Sequence, residues 1–202
     1  MANYTGPKIR LSRKLGAPVA ETPKHTHLRR PYRPGQHGHR PIRRELYGRQ
    51  LAEKQKLAYY YDLGERQLHH YLQKAQQSRQ ATLDAFAEML ETRLDNALRR
   101  AGWARTIWQA RQMVVHGHIF VDEAKVDRPS YGVSPGEVIS VRPRSRKLVE
   151  QAAASSETGP VADWLERDET AMEVRVLRRP ALEDVRLPFE MDYSLVLEFY
   201  TR

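Results

Sequence analysis

Arg105, Gln109, Gln112 and His116 follow one another at steps of four, three and four, the spacing that lines side chains along one face of a helix. The ridge they form carries a guanidinium, two amides and an imidazole, and no carboxylate. Such a set can bridge phosphates and 2′-hydroxyls across the shallow minor groove of an RNA helix, where shape is read more than sequence. Gly117 and His118 come next, and a glycine there admits a second strand of backbone donors close to the ridge. An ordinary solvated helix surface has the same pattern. The choice between the two readings needs the rest of the chain.

Other chemistry-bearing residues lead less far. Histidines pair at His25/His27, His37/His39, His69/His70 and His116/His118. Structural zinc usually adds thiolates, the chain has no cysteine, and finger spacing is absent. Neither metal nor cofactor is expected. Arg93-Leu94-Asp95 resembles the catalytic tripeptide of pseudouridine synthases, but that aspartate needs a loop facing a flipped uridine. Here the apolar periodicity puts Asp95 inside a helix, four residues before Arg99, the spacing of a structural ion pair. Gly-rich phosphate loops, nucleophile elbows and HExxH are absent. The chain is not expected to be an enzyme or to take a small-molecule substrate.

Charge supplies the context. The net charge is +9 over 202 residues, distributed very unevenly. Residues 1–80 carry 17 basic and 5 acidic side chains, residues 81–146 carry 10 and 8, and residues 147–202 carry 7 and 12. That polarity predicts a polyanion at one end and a different neighbour at the other. No stretch has the ~20 apolar residues of a membrane span. The N-terminal MANYTGPKIRLSRK has no apolar region behind its charges, so neither membrane insertion nor secretion is expected.

The elements that must position these groups are legible in outline. Six of twelve prolines fall within residues 1–44, so this segment reads as a basic arm that becomes ordered on phosphate, with Arg33, Arg43 and Arg44 among its cations. Residues 45–61 and 64–79 show helical periodicity, with Leu46, Leu51, Leu57 and Tyr61 facing inward and Arg49, Lys54, Lys56 and Arg66 outward. Residues 82–101 read as the strongest helix, with Thr82 at its start and Gly102 just past its end. A shorter helix starts after Thr106 and stops at Gly117. The period then changes to two around Ile119–Val121 and Val138–Val141, ahead of a basic run holding Arg144 and Arg146. Three stretches of β character follow at 172–177, 184–189 and 194–200, the last too apolar to be left exposed. The expected organisation is a basic arm (1–44), a helical domain (45–89), a compact α+β unit (90–152), and a linker with a β-rich tail (153–202) that packs back on the earlier domains.

Against these motifs one resemblance stands out. Residues 90–141 resemble the S4-type RNA-binding domain, which by itself implies only RNA. MANYTGPKIRLSRKLG, RPGQHG (33–38), LAEKQKLAYYYDLGERQL (51–68) and LVLEFYTR (195–202) extend the resemblance to the bacterial and plastid small-subunit ribosomal protein S-four family, end to end and in order. The resemblance implies an α+β fold in which the S4-type domain is inserted into a helical domain completed by the tail. It also implies a primary binder of small-subunit ribosomal RNA in the 5′ domain that nucleates assembly of the subunit body and contributes to translational accuracy. A direct contact with protein S-five and a functional link to protein S-twelve follow from it, as does a ribosomal address in the cytoplasm, or in the plastid stroma for an organellar member. The RNA-contacting positions it implies are Tyr4, Lys8, Arg10, Arg13, Lys14, Gln36, His37, Arg49, Lys54, Lys56, Arg66, Arg93, Arg111, Gln112, His116 and His118. Ile9 and Ser12 stand where zinc-binding members have cysteines. Ile107 replaces a usual arginine, leaving Arg105 to supply that charge. The alternatives are an RNA-modifying enzyme of the pseudouridine synthase kind, or a regulatory RNA binder that shares the S4-type domain.

Overall fold

The computed structural model describes residues 4, 6–21, 30–40, 45–154 and 160–201. They form two compact units, one from residues 1–77 and 187–202 and the other from residues 78–186. Together they are a mixed α+β structure, as the residue pattern and the resemblance both predict. None of the described helices is long and apolar enough to cross a membrane.

The first unit is helical. α1 (Lys8–Leu15) buries Leu11 and Leu15, and Tyr4, Tyr59 and Phe189 pack on the same small cluster. α2 (Leu46–Tyr60) and α3 (Glu65–Gln76) follow, with Leu57, Leu68, Leu72 and Ala75 fully buried. The inward face of α2 differs from the expected one at its start, while Leu57 and Tyr61 are buried as expected. Leu46 is 45% exposed, while Gln50 and Lys54 turn inward, because each finds a carboxylate: Gln50 Nε2 donates to Glu198 and Lys54 Nζ to Glu65. Most buried polar groups are so partnered, although the Gln50 Oε1 itself has no partner among the described residues.

Residues 193–200 correct the expected strand: they form a helix, α8 (Tyr193–Tyr200), lying along α2. Asp192 caps it, its carboxylate accepting from the backbone N–H of Ser194 and Leu195 at 3.0 and 3.3 Å. Valine, phenylalanine and tyrosine favour strands only where a pleated surface is on offer, and packing on α2 offers a groove instead. Tyr47 and Phe199 meet with ring centroids 5.8 Å apart, and Tyr200 stacks on His69.

The second unit places helices on one face of a five-stranded antiparallel sheet of order β2-β1-β3-β5-β4. Its strands are β1 (Ile119–Val121), β2 (Ala124–Lys125), β3 (Val138–Val141), β4 (Leu165–Asp168) and β5 (Glu173–Val176). The register pairs Ile119 with Val141, Ile139 with Val174, and Leu165 with Val176. Alternation therefore sends one apolar row inward, against Leu94, Leu98, Trp103, Met113 and Trp164. Of the three β-type stretches only 172–177 is a strand. Residues 184–189 run from a short 3₁₀ turn (Leu182–Asp184) into coil. β4 has too little alternation to announce itself.

The helix expected over 82–101 is broken. α4 (Thr82–Glu91) ends, Arg93 takes an extended conformation, and α5 (Leu94–Arg100) begins. The loop at 129–133 forces the break: Leu94 N–H donates to Tyr131 O at 2.8 Å, and Val133 N–H to Thr92 O at 2.8 Å. Those bonds replace the helical ones a continuous rod would have made. Gly102 and Gly117 both end helices in left-handed conformation, at φ +80° and +71°. Each is followed by a residue whose N–H reaches back to a carbonyl five positions earlier (Trp103 to Leu98, His118 to Met113). α6 (Ile107–Val115) has the expected Thr106 cap, its side chain accepting from Gln109 N–H. A 3₁₀ turn (Pro143–Ser145) then leads into α7 (Arg146–Ala154).

Candidate nucleic-acid interface

In the first unit, the expected cations separate into those that face solvent and those that do not. Arg10 and Lys14 on α1, Arg33 in the 30–40 segment, Arg49 on α2 and Arg66 on α3 are exposed, as are Gln36 and His37. Arg13 instead fastens the arm to α1: its Nε donates to Tyr32 O at 2.9 Å, and its guanidinium lies 5.5 Å from the Tyr32 ring. Lys8 donates to the Tyr4 carbonyl and sits 4.9 Å from that ring, while Tyr4 meets Tyr59 edge-on. Burial pulls the Lys8 ammonium below its ordinary pKa against the opposing pull of Asp62. Lys56 spends its charge on Glu53 at 2.6 Å. Arg43 and Arg44 lie outside the described residues.

Lys54 is a correction. Its side chain is 9% exposed, bonded to Glu65 at 2.7 Å and 4.4 Å from the Phe199 ring centroid. It staples α2 to α3 and α8 rather than meeting a phosphate. Glu65 is the hub of this cluster, also accepting from the Tyr200 hydroxyl at 2.7 Å. Burial raises the Glu65 carboxyl, but hydrogen bonds from Lys54 and Tyr200 outweigh it and leave the group below its usual pKa.

Arg93 is the second correction. It is 1% exposed, and its Nε and Nη2 grip both oxygens of Asp95 at 3.0 and 2.6 Å. Asp95 is itself fully buried and also accepts from the Asn96 N–H at 2.9 Å. Burial pushes its carboxyl above the ordinary value, opposed by the charges of Arg93 and Arg111. The Arg-Leu-Asp tripeptide is thus a brace across the α4–α5 break and presents nothing to a uridine. Asp95 is structural, as its helical setting suggests, but it stands in the first turn of α5 and pairs with Arg93 rather than Arg99. Arg111 of α6 joins the brace from outside, its Nη2 3.6 Å from Asp95 Oδ2 and its side chain 14% exposed. Beside it, Glu91 accepts from Nε and Nη2 of Arg100 at 2.8 and 2.7 Å.

The ridge on α6 forms as its spacing predicts. Gln112 and His116 are exposed, Arg105 and Gln109 are half-buried, and the Gln109 carbonyl accepts from the Arg105 N–H at 2.9 Å. His118 Nδ1 meets Ser145 Oγ at 2.8 Å, tying the start of β1 to the 3₁₀ turn. Arg144 and Arg146 are exposed there with Arg142 and Lys147, and Arg146 reaches the Ala171 carbonyl. The first turn of α7 holds Arg146 and Lys147 and no acidic residue. Cations there oppose the helix dipole, so they contribute nothing to that helix. Sequence reasoning missed that Leu148 and Gln151 of α7 face the α6 ridge across a cleft. Their three-residue spacing, just after the basic run, was the available signal.

Ion pairing separates two groups among the exposed cations. Arg178, Arg179 and Arg186 are satisfied by Asp184, Glu88 and Asp163. Arg10, Lys14, Arg33, Arg49, Arg66, Arg142, Arg144 and Lys147 are exposed, and among the described residues none forms a salt bridge. Surfaces of this kind attract polyanions.

Comparison with known proteins agrees. Residues 3–91 match the family model described as the ribosomal protein S4/S9 N-terminal domain, and residues 92–139 match the S4 domain. The small ribosomal subunit protein uS4 of Thermobifida fusca is 44% identical, over 98% of this chain and 99% of its own length. That of Geobacillus stearothermophilus is 44% identical over the full length of both, and that of Leuconostoc citreum 43%.

Proposed function

This chain belongs to the small ribosomal subunit protein uS4 family, and from that premise we propose that it is a structural, non-enzymatic constituent of the small ribosomal subunit that holds ribosomal RNA by its phosphates. The observation that carries the reading is the division of the exposed cations. Those of residues 178–186 are paired internally, whereas those of α1 to α3 and of residues 142–147 stand ready for an external anion. Phosphate neutralisation supplies most of the affinity, and the α6 ridge fixes orientation by meeting the RNA minor groove. By family resemblance the RNA is the 5′ domain, the binding nucleates assembly of the subunit body, and the protein contributes to translational accuracy alongside S-twelve.

The acidic side of the second unit faces a different neighbour. Glu166, Asp168, Glu169 and Glu173 are exposed on and between β4 and β5, a surface that repels phosphate and suits a basic protein, with S-five the candidate. Cross-linking that finds these residues against RNA alone removes this part of the reading.

Filter binding to small-subunit ribosomal RNA tests the main part. With roughly eight to ten phosphates neutralised, affinity falls on the order of a thousandfold or more between 50 and 200 mM salt. A flat salt response overturns the proposal.

A further inference from the structure

Between α6 and α7 lies a cleft of about 450 Å3, within the size range of small-molecule sites. Gln109, Gln112 and His118 contribute from one side and Gln151 from the other, while Met113 and Leu148 supply apolar surface. Its titratable groups are the imidazoles of His116 and His118, and among the described residues no carboxylate, ammonium or guanidinium lines it. Amides offer donors and acceptors together, so the lining suits a neutral body with apolar faces and a polar edge.

Two further features bear on the occupant. Leu148 is 46% exposed on a helix whose buried residues are Val149 and Ala152, so folding of this chain leaves it uncovered. The residues just before it, Arg142, Arg144 and Lys147, are exposed cations without salt bridges among the described residues. A neutral flat group attached to a polyanion satisfies both. The side chains are also set in advance: His118 is held by Ser145, and the Gln109 carbonyl is engaged by the Arg105 N–H, leaving its NH2 as the donor.

Resting on the RNA-binding reading above, the geometry points to this cleft as a pocket for one unstacked base of the bound RNA. The base packs its face on Leu148 and Met113 and offers its edge to the glutamine amides. The flanking cations hold the phosphates on either side of that nucleotide. Proteins read RNA sequence mostly through such splayed bases rather than through the duplex, so the cleft would add base recognition to a surface otherwise suited to shape.

The test uses the full chain and a small-subunit ribosomal RNA transcript. Ultraviolet cross-linking followed by peptide mass spectrometry should find nucleotide adducts on peptides containing Met113 or Leu148. Leu148→Asn removes no core packing, so its tryptophan-monitored unfolding should match the parent. Its affinity should fall about five- to 150-fold, the range for losing one stacked base, with an unchanged salt slope because the substitution is neutral and no phosphate contact is lost. Lys147→Ala should do the opposite and lower the slope by about one. An abasic nucleotide at the cross-linked position should cost the parent as much as Leu148→Asn does, with no added loss when the two are combined. Parental affinity for Leu148→Asn, absence of adducts, or loss of slope along with affinity overturns the pocket while RNA binding stands. A parent chain that ignores the transcript overturns both.

Discussion

Replacing Asp95 by asparagine isolates the brace at the α4–α5 break. The carboxylate is fully buried, takes two bonds from an arginine that is 1% exposed, and lies 3.6 Å from a second guanidinium. An asparagine keeps one acceptor but turns an NH2 toward Arg93, leaving that guanidinium buried and half-satisfied. Breaking a buried pair by removing one partner costs about 3–5 kcal/mol. With a urea dependence of about 2 kcal/mol/M for a unit of this size, even the lower figure moves the unfolding midpoint down by about 1.5 M. The assay reads the right unit, because all three tryptophans, Trp103, Trp108 and Trp164, belong to residues 78–186. Arg93→Met combined with Asp95→Leu should recover only part of the loss: apolar groups of similar volume can replace a buried pair at little cost, but the Asn96 N–H and Arg111 lose their acceptor. A midpoint shift below about 0.3 M for Asp95→Asn, corresponding to roughly 0.6 kcal/mol, would refute the claim that this pair holds the break together.

Three further outcomes follow from particular contacts. Glu65 has its pKa depressed in the folded state, so its stabilising contribution is present above the ordinary carboxylate range and lost as pH falls through the folded value. Glu65→Gln should therefore flatten the acid unfolding of the helical unit below about pH 4, seen by near-ultraviolet circular dichroism of its tyrosines, and an unaltered acid curve counts against the hub. Asp122 and Glu123 turn the β1–β2 hairpin with φ at +46° and +67°, so Glu123→Gly should relieve left-handed strain and stabilise by about 1 kcal/mol, checked by the urea midpoint. Gly117→Ala should destabilise by about 1–2 kcal/mol through its positive φ. The added methyl meets only the far end of the exposed Lys125 side chain, so a much larger loss would mean that the local packing is misread.

What could be read without coordinates was chemistry acting over a few residues. Thr106 followed by an amphipathic run, and the glycines at 102 and 117, announce helix ends because caps are local. The break at Arg93 was hidden because Leu90, Leu94 and Leu98 stay in phase across it, and the loop that forces it comes some forty residues later. Residues 194–200 were misread for a related reason: their β propensity is genuine, but α2 selects the helix. Lys54 and Arg93 show the limit for site residues. A cation's identity says what it can bind, while burial and a nearby carboxylate decide whether it is still available. The α6 ridge was legible because spacing alone puts its groups on one face, whereas its companion α7 had to be seen.

The pairing of α2 with α8 also sets a timetable. Gln50 and its partner Glu198 are 148 positions apart, and synthesis at about 5–20 residues per second separates their emergence by roughly 7–30 s. Over that interval residues 78–186 can complete their own sheet, while the earlier helices wait for the tail that covers them. Maturation of the molecule therefore runs from its middle outward, and the half with the greatest excess of positive charge is the last to be finished.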